Sequence, residues 1–116
     1  MSDLNIAAEI SKKHTNTIII KLDGFIDGNT TPNLEGIVNK IFKRNCFSII
    51  FDLSNINYIS SAGIGIFTAF NSEVKKHGGK IILSSLPESI FKVFKLLGVN
   101  ILFQFTDSVE EAEENI

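Results

Sequence analysis

The sequence predicts a single α/β domain, residues 1–116, with helices packed on a mixed sheet of about five strands. Short apolar runs alternate along the chain with segments of helical periodicity, the pattern of strand–helix–strand units joined by parallel crossovers. The chain has 116 residues, of which 44% are hydrophobic, and this is enough for one core. Because there is no repeat, linker or low-complexity tract, we expect one domain.

The first two strands are predicted to form an antiparallel hairpin. Apolar and polar residues alternate from Leu4 to Ile10, as in a half-buried strand, and residues 17–22, TIIIKL, read as a second strand. The polar segment SKKHTN between them is short enough for a hairpin loop. Phe25, just past the second strand, is predicted to lie in the core.

Further helices and strands are predicted to alternate after the hairpin. Thr31 is predicted to cap the next helix, because its hydroxyl can bind a free amide of the first turn. Asp107 and Glu110 have the spacing of a capping pair and are predicted to cap the last helix. The remaining strands are predicted from the apolar runs 47–53, 80–85 and 101–105.

Composition and charge argue against several classes of partner. The formal net charge of −2 provides no phosphate-binding field, so we expect no nucleic acid. No apolar run approaches the roughly 20 residues of a membrane helix, so we expect no membrane partner. Cys46 is the single cysteine and no segment resembles a secretion signal, so the predicted compartment is cytoplasmic.

The candidate site lies in residues 55–70, NINYISSAGIGIFTAF, where a helix is predicted to begin at two serines. On a helical wheel of about 100° per residue, Ser61, Ile64 and Thr68 fall on the side predicted to face solvent. A hydroxyl would then be displayed beside an apolar side chain at the positive end of a helix, where a phosphate is tolerated. The alternative is that Ser60 and Ser61 only cap the helix and that Ile64 is a single surface aliphatic residue.

No catalytic or metal-binding arrangement is predicted. The segment AGIGIF has two glycines at the spacing of a dinucleotide-binding loop, but Thr68 stands where the third would be. Asp52 is placed at the end of a predicted strand, and no histidine or lysine is paired with a nucleophile. His14 and His77 are expected to be solvated. We therefore expect no enzymatic activity, no cofactor and no metal.

Three segments resemble the STAS domain, a family named for sulfate transporters and anti-sigma factor antagonists. FDLSNINYISSAGIGIF resembles its signature, and GFIDGNTTPNL resembles its Gly-x-(Leu/Ile)-Asp loop followed by Pro-x-Leu. GGKIILSSLPESIFKVFKLLGVNILFQFTDSVEEA resembles its C-terminal half. The resemblance covers essentially the whole chain and implies a STAS-like fold and kinship with the free-standing bacterial anti-sigma factor antagonists.

The resemblance also implies partner switching. In that family an unmodified antagonist binds an anti-sigma factor that is also a serine kinase of the histidine-kinase-like ATPase type, which frees the sigma factor for transcription. Phosphorylation by the kinase ends the binding, and a serine phosphatase resets the antagonist. The matched motif implies that Ser61 is the phosphorylated serine. It implies a partner-binding surface made of Asp27, Ser60, Ser61, Ala62, Gly63, Ile64 and Thr68.

One position departs from the family pattern. Where the family usually has Asp directly before the phosphoserine, this chain has Ser60, which removes a carboxylate and leaves a second candidate for phosphorylation. The alternative function is a STAS adaptor or structural subunit that is not phosphorylated and binds another protein, a transporter or a lipid. We expect a monomer or a weak dimer.

Overall fold

A computed structural model describes residues 3–116. The elements follow one another in the alternating order that the sequence predicts. In chain order they are β1 (Leu4–Ile10), β2 (Thr17–Ile26), α1 (Thr31–Lys43), β3 (Ser48–Ile59), α2 (Ser61–Lys76), β4 (Lys80–Ser84), α3 (Glu88–Leu96), a 3₁₀ turn (Asn100–Leu102), β5 (Gln104–Thr106) and α4 (Val109–Glu114).

The five strands form one mixed sheet in the order β1-β2-β3-β4-β5. β1 pairs antiparallel with β2, and the other neighbours are parallel, which confirms the predicted hairpin and crossovers. β1 is an edge strand, so its outer part is more exposed than the predicted alternation implies. Ile10 is 61% exposed.

Helices cover the two faces of the sheet unequally. α1, α2 and α3 pack on one face and enclose the main core, to which Phe51 of β3 contributes a fully buried ring. Ile50, the preceding residue, points to the other face, where it packs with Ile82 of β4 and with Ala112 of α4. Because consecutive side chains of a strand point to opposite faces, the continuous apolar runs of β3 and β4 serve both cores.

Three of the predicted strands differ clearly in length from the observed ones. β2, predicted at residues 17–22, continues to Ile26, so Phe25 lies within the strand and not past it. β3 continues to Ile59, so Asp52 lies in the middle of the strand, opposite Ser84 of β4, and not at a strand end. The last strand, predicted at residues 101–105, is observed only at Gln104–Thr106. Gly98, with φ of +72°, ends α3, and the chain makes the 3₁₀ turn before it can pair with β4.

The cap of α4 is displaced by one residue from the prediction. Ser108 is the N-cap, and its Oγ accepts a hydrogen bond of 3.0 Å from the amide of Glu111. Glu111 Oε1 in turn accepts a bond of 3.1 Å from the amide of Asp107. The capping residues are therefore Ser108 and Glu111, and not Asp107 and Glu110, because the serine hydroxyl provides the acceptor.

Candidate functional site

The candidate site is assembled where β2 and β3 end side by side. Ile26 of β2 pairs with Ile59 of β3, so the residues that follow them emerge at the same end of the sheet. The amide of Ser60 donates a 2.9 Å hydrogen bond to the carbonyl of Ile26. This bond ties the start of α2 to the end of β2, and it places the loop that begins at Asp27 beside the serine pair.

The two serines have different surroundings. Ser60 is the half-buried N-cap of α2, and its Oγ accepts a 3.2 Å hydrogen bond from the amide of Gly63. Ser61 is the first helical residue and is exposed. Within residues 3–116 its hydroxyl makes no hydrogen bond. One hydroxyl is thus engaged in capping, and the other is available at the helix N-terminus.

The glycines of the site also differ. A Cβ atom on Gly63 would lie 2.7 Å from Cγ2 of Ile26 and 2.9 Å from Cγ1 of Ile59. Only glycine therefore allows the first turn of α2 to approach the strand ends this closely. A Cβ atom on Gly65 would meet nothing within 4 Å, so packing within the domain does not require that glycine.

The predicted exposure of Ile64 is wrong, because its side chain is 3% exposed and belongs to the main core. Asn71, two turns later on the same side of α2, is also buried, and its Nδ2 donates a 2.9 Å hydrogen bond to the carbonyl of Leu102. The 3₁₀ turn thus covers a side of α2 that the helical wheel assigns to solvent. Ile64 cannot serve as an exposed contact for a partner.

The exposed face of α2 carries only small side chains near the serine pair. Thr68 is half-buried, and its hydroxyl donates a 3.0 Å hydrogen bond to the carbonyl of Ile64. Of the residues that the sequence predicts for the partner surface, Ser61 and Ala62 are exposed and Gly63 is buried. In the first three turns of α2 the exposed positions are Ser61, Ala62, Gly65, Ala69 and Ser72.

Asp27 organises the loop between β2 and α1. Its Oδ1 accepts hydrogen bonds from the amides of Asn29, at 2.9 Å, and Thr30, at 3.2 Å. Thr30, and not Thr31 as predicted, is the N-cap position of α1, but its hydroxyl donates to the carbonyl of Phe25 instead of capping the helix. The carboxylate of Asp27 therefore has a structural role in its own turn.

Phe25 is not in the core, contrary to the prediction. It is 38% exposed and lies against Tyr58, which is 50% exposed, with ring centroids 6.5 Å apart. The alternation of the strand could have revealed this, because Ile26 points into the core and its neighbour must point away. The aromatic pair stands at the end of the sheet that carries the serines.

The described residues offer no obvious metal site. No group of three or more His, Cys, Asp and Glu among residues 3–116 could hold a metal ion. None of the helices in this part of the chain is both long and apolar enough to cross a membrane.

Comparison with solved structures identifies the fold as that of the anti-sigma factor antagonists. The antagonist from Mycobacterium paratuberculosis superposes with a TM-score of 0.82 over 98% of this chain and 94% of its own, at 19% identity. The phosphorylated form of SpoIIAA, a Bacillus cell fate determinant, gives a TM-score of 0.74 over 97% and 100%, at 18% identity.

The family follows from the sequence comparisons. The STAS domain model matches residues 8–112, so the chain belongs to the STAS domain family. The anti-sigma-B factor antagonist of Listeria monocytogenes is 23% identical over 112 residues, which are 97% of this chain and 98% of that protein.

Proposed function

We propose that this domain is an anti-sigma factor antagonist whose binding to an anti-sigma factor is ended by phosphorylation of Ser61. The observation that carries the proposal is the contrast between the two serines. Ser61 presents an exposed hydroxyl, unbonded within residues 3–116, at the N-terminus of a 16-residue helix, whereas the Ser60 hydroxyl caps that helix. The name of the Listeria relative and the phosphorylated form of SpoIIAA support the same role.

The electrostatics of the helix end favour a phosphate at this position. The first amides of a helix have no intrahelical partners, and together with the helix dipole they stabilise negative charge. Phosphorylation adds about −1.5 to −2 charges, and takes the formal net charge from −2 to roughly −4. Because the group would extend into solvent from an exposed residue, the fold is expected to persist.

The same phosphate would prevent a partner from binding. The first three turns of the exposed face of α2 carry only small residues, so a partner can approach the helix backbone closely around Ser61 and Gly65. A doubly charged, hydrated group in the middle of that contact must be desolvated without a matched cation, which is costly. The partner is an anti-sigma factor that is itself a serine kinase of the histidine-kinase-like ATPase type, and a serine phosphatase restores binding.

The proposal is tested with the kinase captured by this protein from its native cell. After incubation with ATP, we expect mass spectrometry to place one phosphate on Ser61. The phosphorylated protein should keep its circular dichroism spectrum and melting temperature while its affinity for the kinase falls at least about tenfold, or 1.4 kcal/mol. Ser61→Ala should block modification and remain able to bind, and Ser61→Asp should mimic the phosphate only in part.

Matched variants make the result interpretable. Ser72→Ala, on the same exposed face of α2, should change neither modification nor binding. Asp27→Asn keeps the Oδ1 acceptor for the loop amides but removes the charge, so it separates a role at the kinase interface from the structural role. A phosphate on Ser60 alone would move the switch by one residue. No phosphate on either serine would favour the adaptor that is not phosphorylated.

A further inference from the structure

An exposed apolar ridge lies at the end of α3 and in the turn that follows. A single exposed aliphatic side chain needs no explanation, but several neighbouring ones form a patch of the kind that marks interaction sites. We call this group the aliphatic ridge. Its members and their exposed fractions are Leu96, 86%, Leu97, 48%, Ile101, 84%, and Leu102, 44%.

The backbone under the aliphatic ridge is held in place by the core. The carbonyl of Leu102 accepts the hydrogen bond from the buried Asn71 side chain at 2.9 Å. Phe103, 9% exposed, packs edge-on against Phe94 with ring centroids 5.5 Å apart. These contacts fix the backbone of the 3₁₀ turn that carries Ile101 and Leu102, whereas Leu96 and Leu97 stand at the end of α3.

The aliphatic ridge is separate from the proposed phosphorylation site. It adjoins Asn71, which lies ten residues after Ser61 in α2. At about 1.5 Å per residue this places the two regions about 15 Å apart along the helix. A partner seated on the ridge therefore need not contact Ser61.

Lysines border the aliphatic ridge. Described residues lining the cleft between α2 and the 3₁₀ turn include Lys75, Lys80, Ile101 and Leu102, and no carboxylate. Lys95 directly precedes the ridge. In the described part of the chain neither Lys75 nor Lys95 forms a salt bridge, and Lys80 Nζ donates to a backbone carbonyl. Their positive charge therefore lacks a carboxylate partner among the described residues.

We propose that the aliphatic ridge and its lysines dock an acidic amphipathic helix of a partner protein. Aliphatic side chains at positions i, i+3, i+4 and i+7 of such a helix would cover the ridge, and its flanking carboxylates would face Lys75 and Lys95. The neighbouring edge strand β5 has three residues, so it is too short for an extended peptide of a partner to pair with it as an additional strand.

Two other occupants fit the charges less well. A second copy of the chain, docked symmetrically, would bring its own ridge lysines against those of the first. An anionic membrane would attract the lysines but would be repelled by the formal net charge of −2.

The test uses a fluorescein-labelled helical peptide with leucine at i, i+3, i+4 and i+7 and glutamate elsewhere, and a second peptide with lysine in place of glutamate. In fluorescence anisotropy the wild-type protein should bind the glutamate peptide at least about tenfold more tightly than the lysine peptide. The double variant Leu96→Ser, Ile101→Ser should lose at least about tenfold in affinity. The double variant Lys75→Glu, Lys95→Glu should reverse the preference between the peptides.

Ile10→Ser is the matched control, because Ile10 is 61% exposed on β1 at the opposite edge of the sheet and should not affect binding. Circular dichroism verifies that each variant is folded. Equal affinity for both peptides, no binding by the wild type, or unchanged binding by the ridge variant would overturn the proposal. The proposal would also be overturned if the wild type sedimented as a dimer, or floated with phosphatidylserine vesicles, and the ridge variant did not.

Discussion

Gly63 and Gly65 stand two residues apart in α2 and have opposite surroundings. Gly63→Ala should destabilise the domain by about 1–3 kcal/mol, because the new Cβ would press on Ile26 and Ile59. Gly65→Ala should stabilise it by about 0.5–1 kcal/mol, because alanine favours the helix and its Cβ meets open space. Urea unfolding of both variants checks this, and shifts in the same direction would contradict the packing described for α2.

Ile64 is predicted by the helical wheel to face solvent, but it lies in the main core. Ile64→Ala should cost about 2–5 kcal/mol of unfolding free energy, because it leaves a cavity in the main core. Ile10→Ala is the control, since Ile10 is largely exposed, and it should change stability by less than about 0.5 kcal/mol. Thermal and urea unfolding compare the two, and equal shifts would show that Ile64 is not a core residue in solution.

At the scale of a single element, the start of α2 depends on the Ser60 cap. Ser60→Ala should cost about 0.5–2 kcal/mol because the amide of Gly63 loses its acceptor. Ser60→Asp should keep the cap and add a favourable charge at the helix N-terminus. Ser61→Ala, which removes a hydroxyl with no hydrogen bond among residues 3–116, should leave stability nearly unchanged.

Urea unfolding again provides the measurement for the cap. A loss of stability in Ser61→Ala equal to that in Ser60→Ala would mean that the two hydroxyls share the capping role. The Ser60→Asp variant also recreates the carboxylate that the family usually carries before the phosphoserine. Faster phosphorylation of this variant would show that Ser60 limits recognition by the kinase.

Across the whole molecule, a buried hydroxyl links the first hairpin to the last helix. Ser11 is 2% exposed, its Oγ donates a 2.6 Å hydrogen bond to Oε2 of Glu113, and it accepts bonds from the amides of Lys13 and His14. Ser11→Ala should cost about 1–3 kcal/mol, because these groups lose their shared partner. Ser89→Ala, at an exposed position of α3, is the control.

Hydrogen exchange of the α4 amides distinguishes two ways in which this helix could be held. Faster exchange in Ser11→Ala than in the control would show that the hydroxyl holds α4 against the sheet. Unchanged exchange would mean that the remaining contacts of α4 are sufficient, including the packing of Ala112 with Ile50 and Ile82 and the 2.7 Å hydrogen bond between His14 Nε2 and the carbonyl of Glu113.

Local patterns in the chain account for most of the architecture. The hairpin forms where the sequence predicts it, and so do the apolar parts of strands β2 and β4. Strand and helix periodicities are properties of neighbouring residues, so they can be recognised in the sequence. The start of α2 at Ser60 and Ser61 follows from capping chemistry, which is also local. The ends of the strands were less predictable from the sequence. For example, β3 extends past Asp52 because its pairing with β2 continues to Ile59.

Which residues are buried at the edges of the packed face of α2 depends on contacts with residues distant in sequence. A helical wheel orders residues by direction, but the width of the buried arc is set by whatever packs beside the helix. Here the 3₁₀ turn, about thirty residues further along the chain, covers Asn71, and the buried arc extends to Ile64. Phe25 differs from these residues, because its exposure follows from strand alternation with the buried Ile26, which is a local pattern. The burial of Ile64 and Asn71 therefore follows from the assembled fold and not from any local pattern.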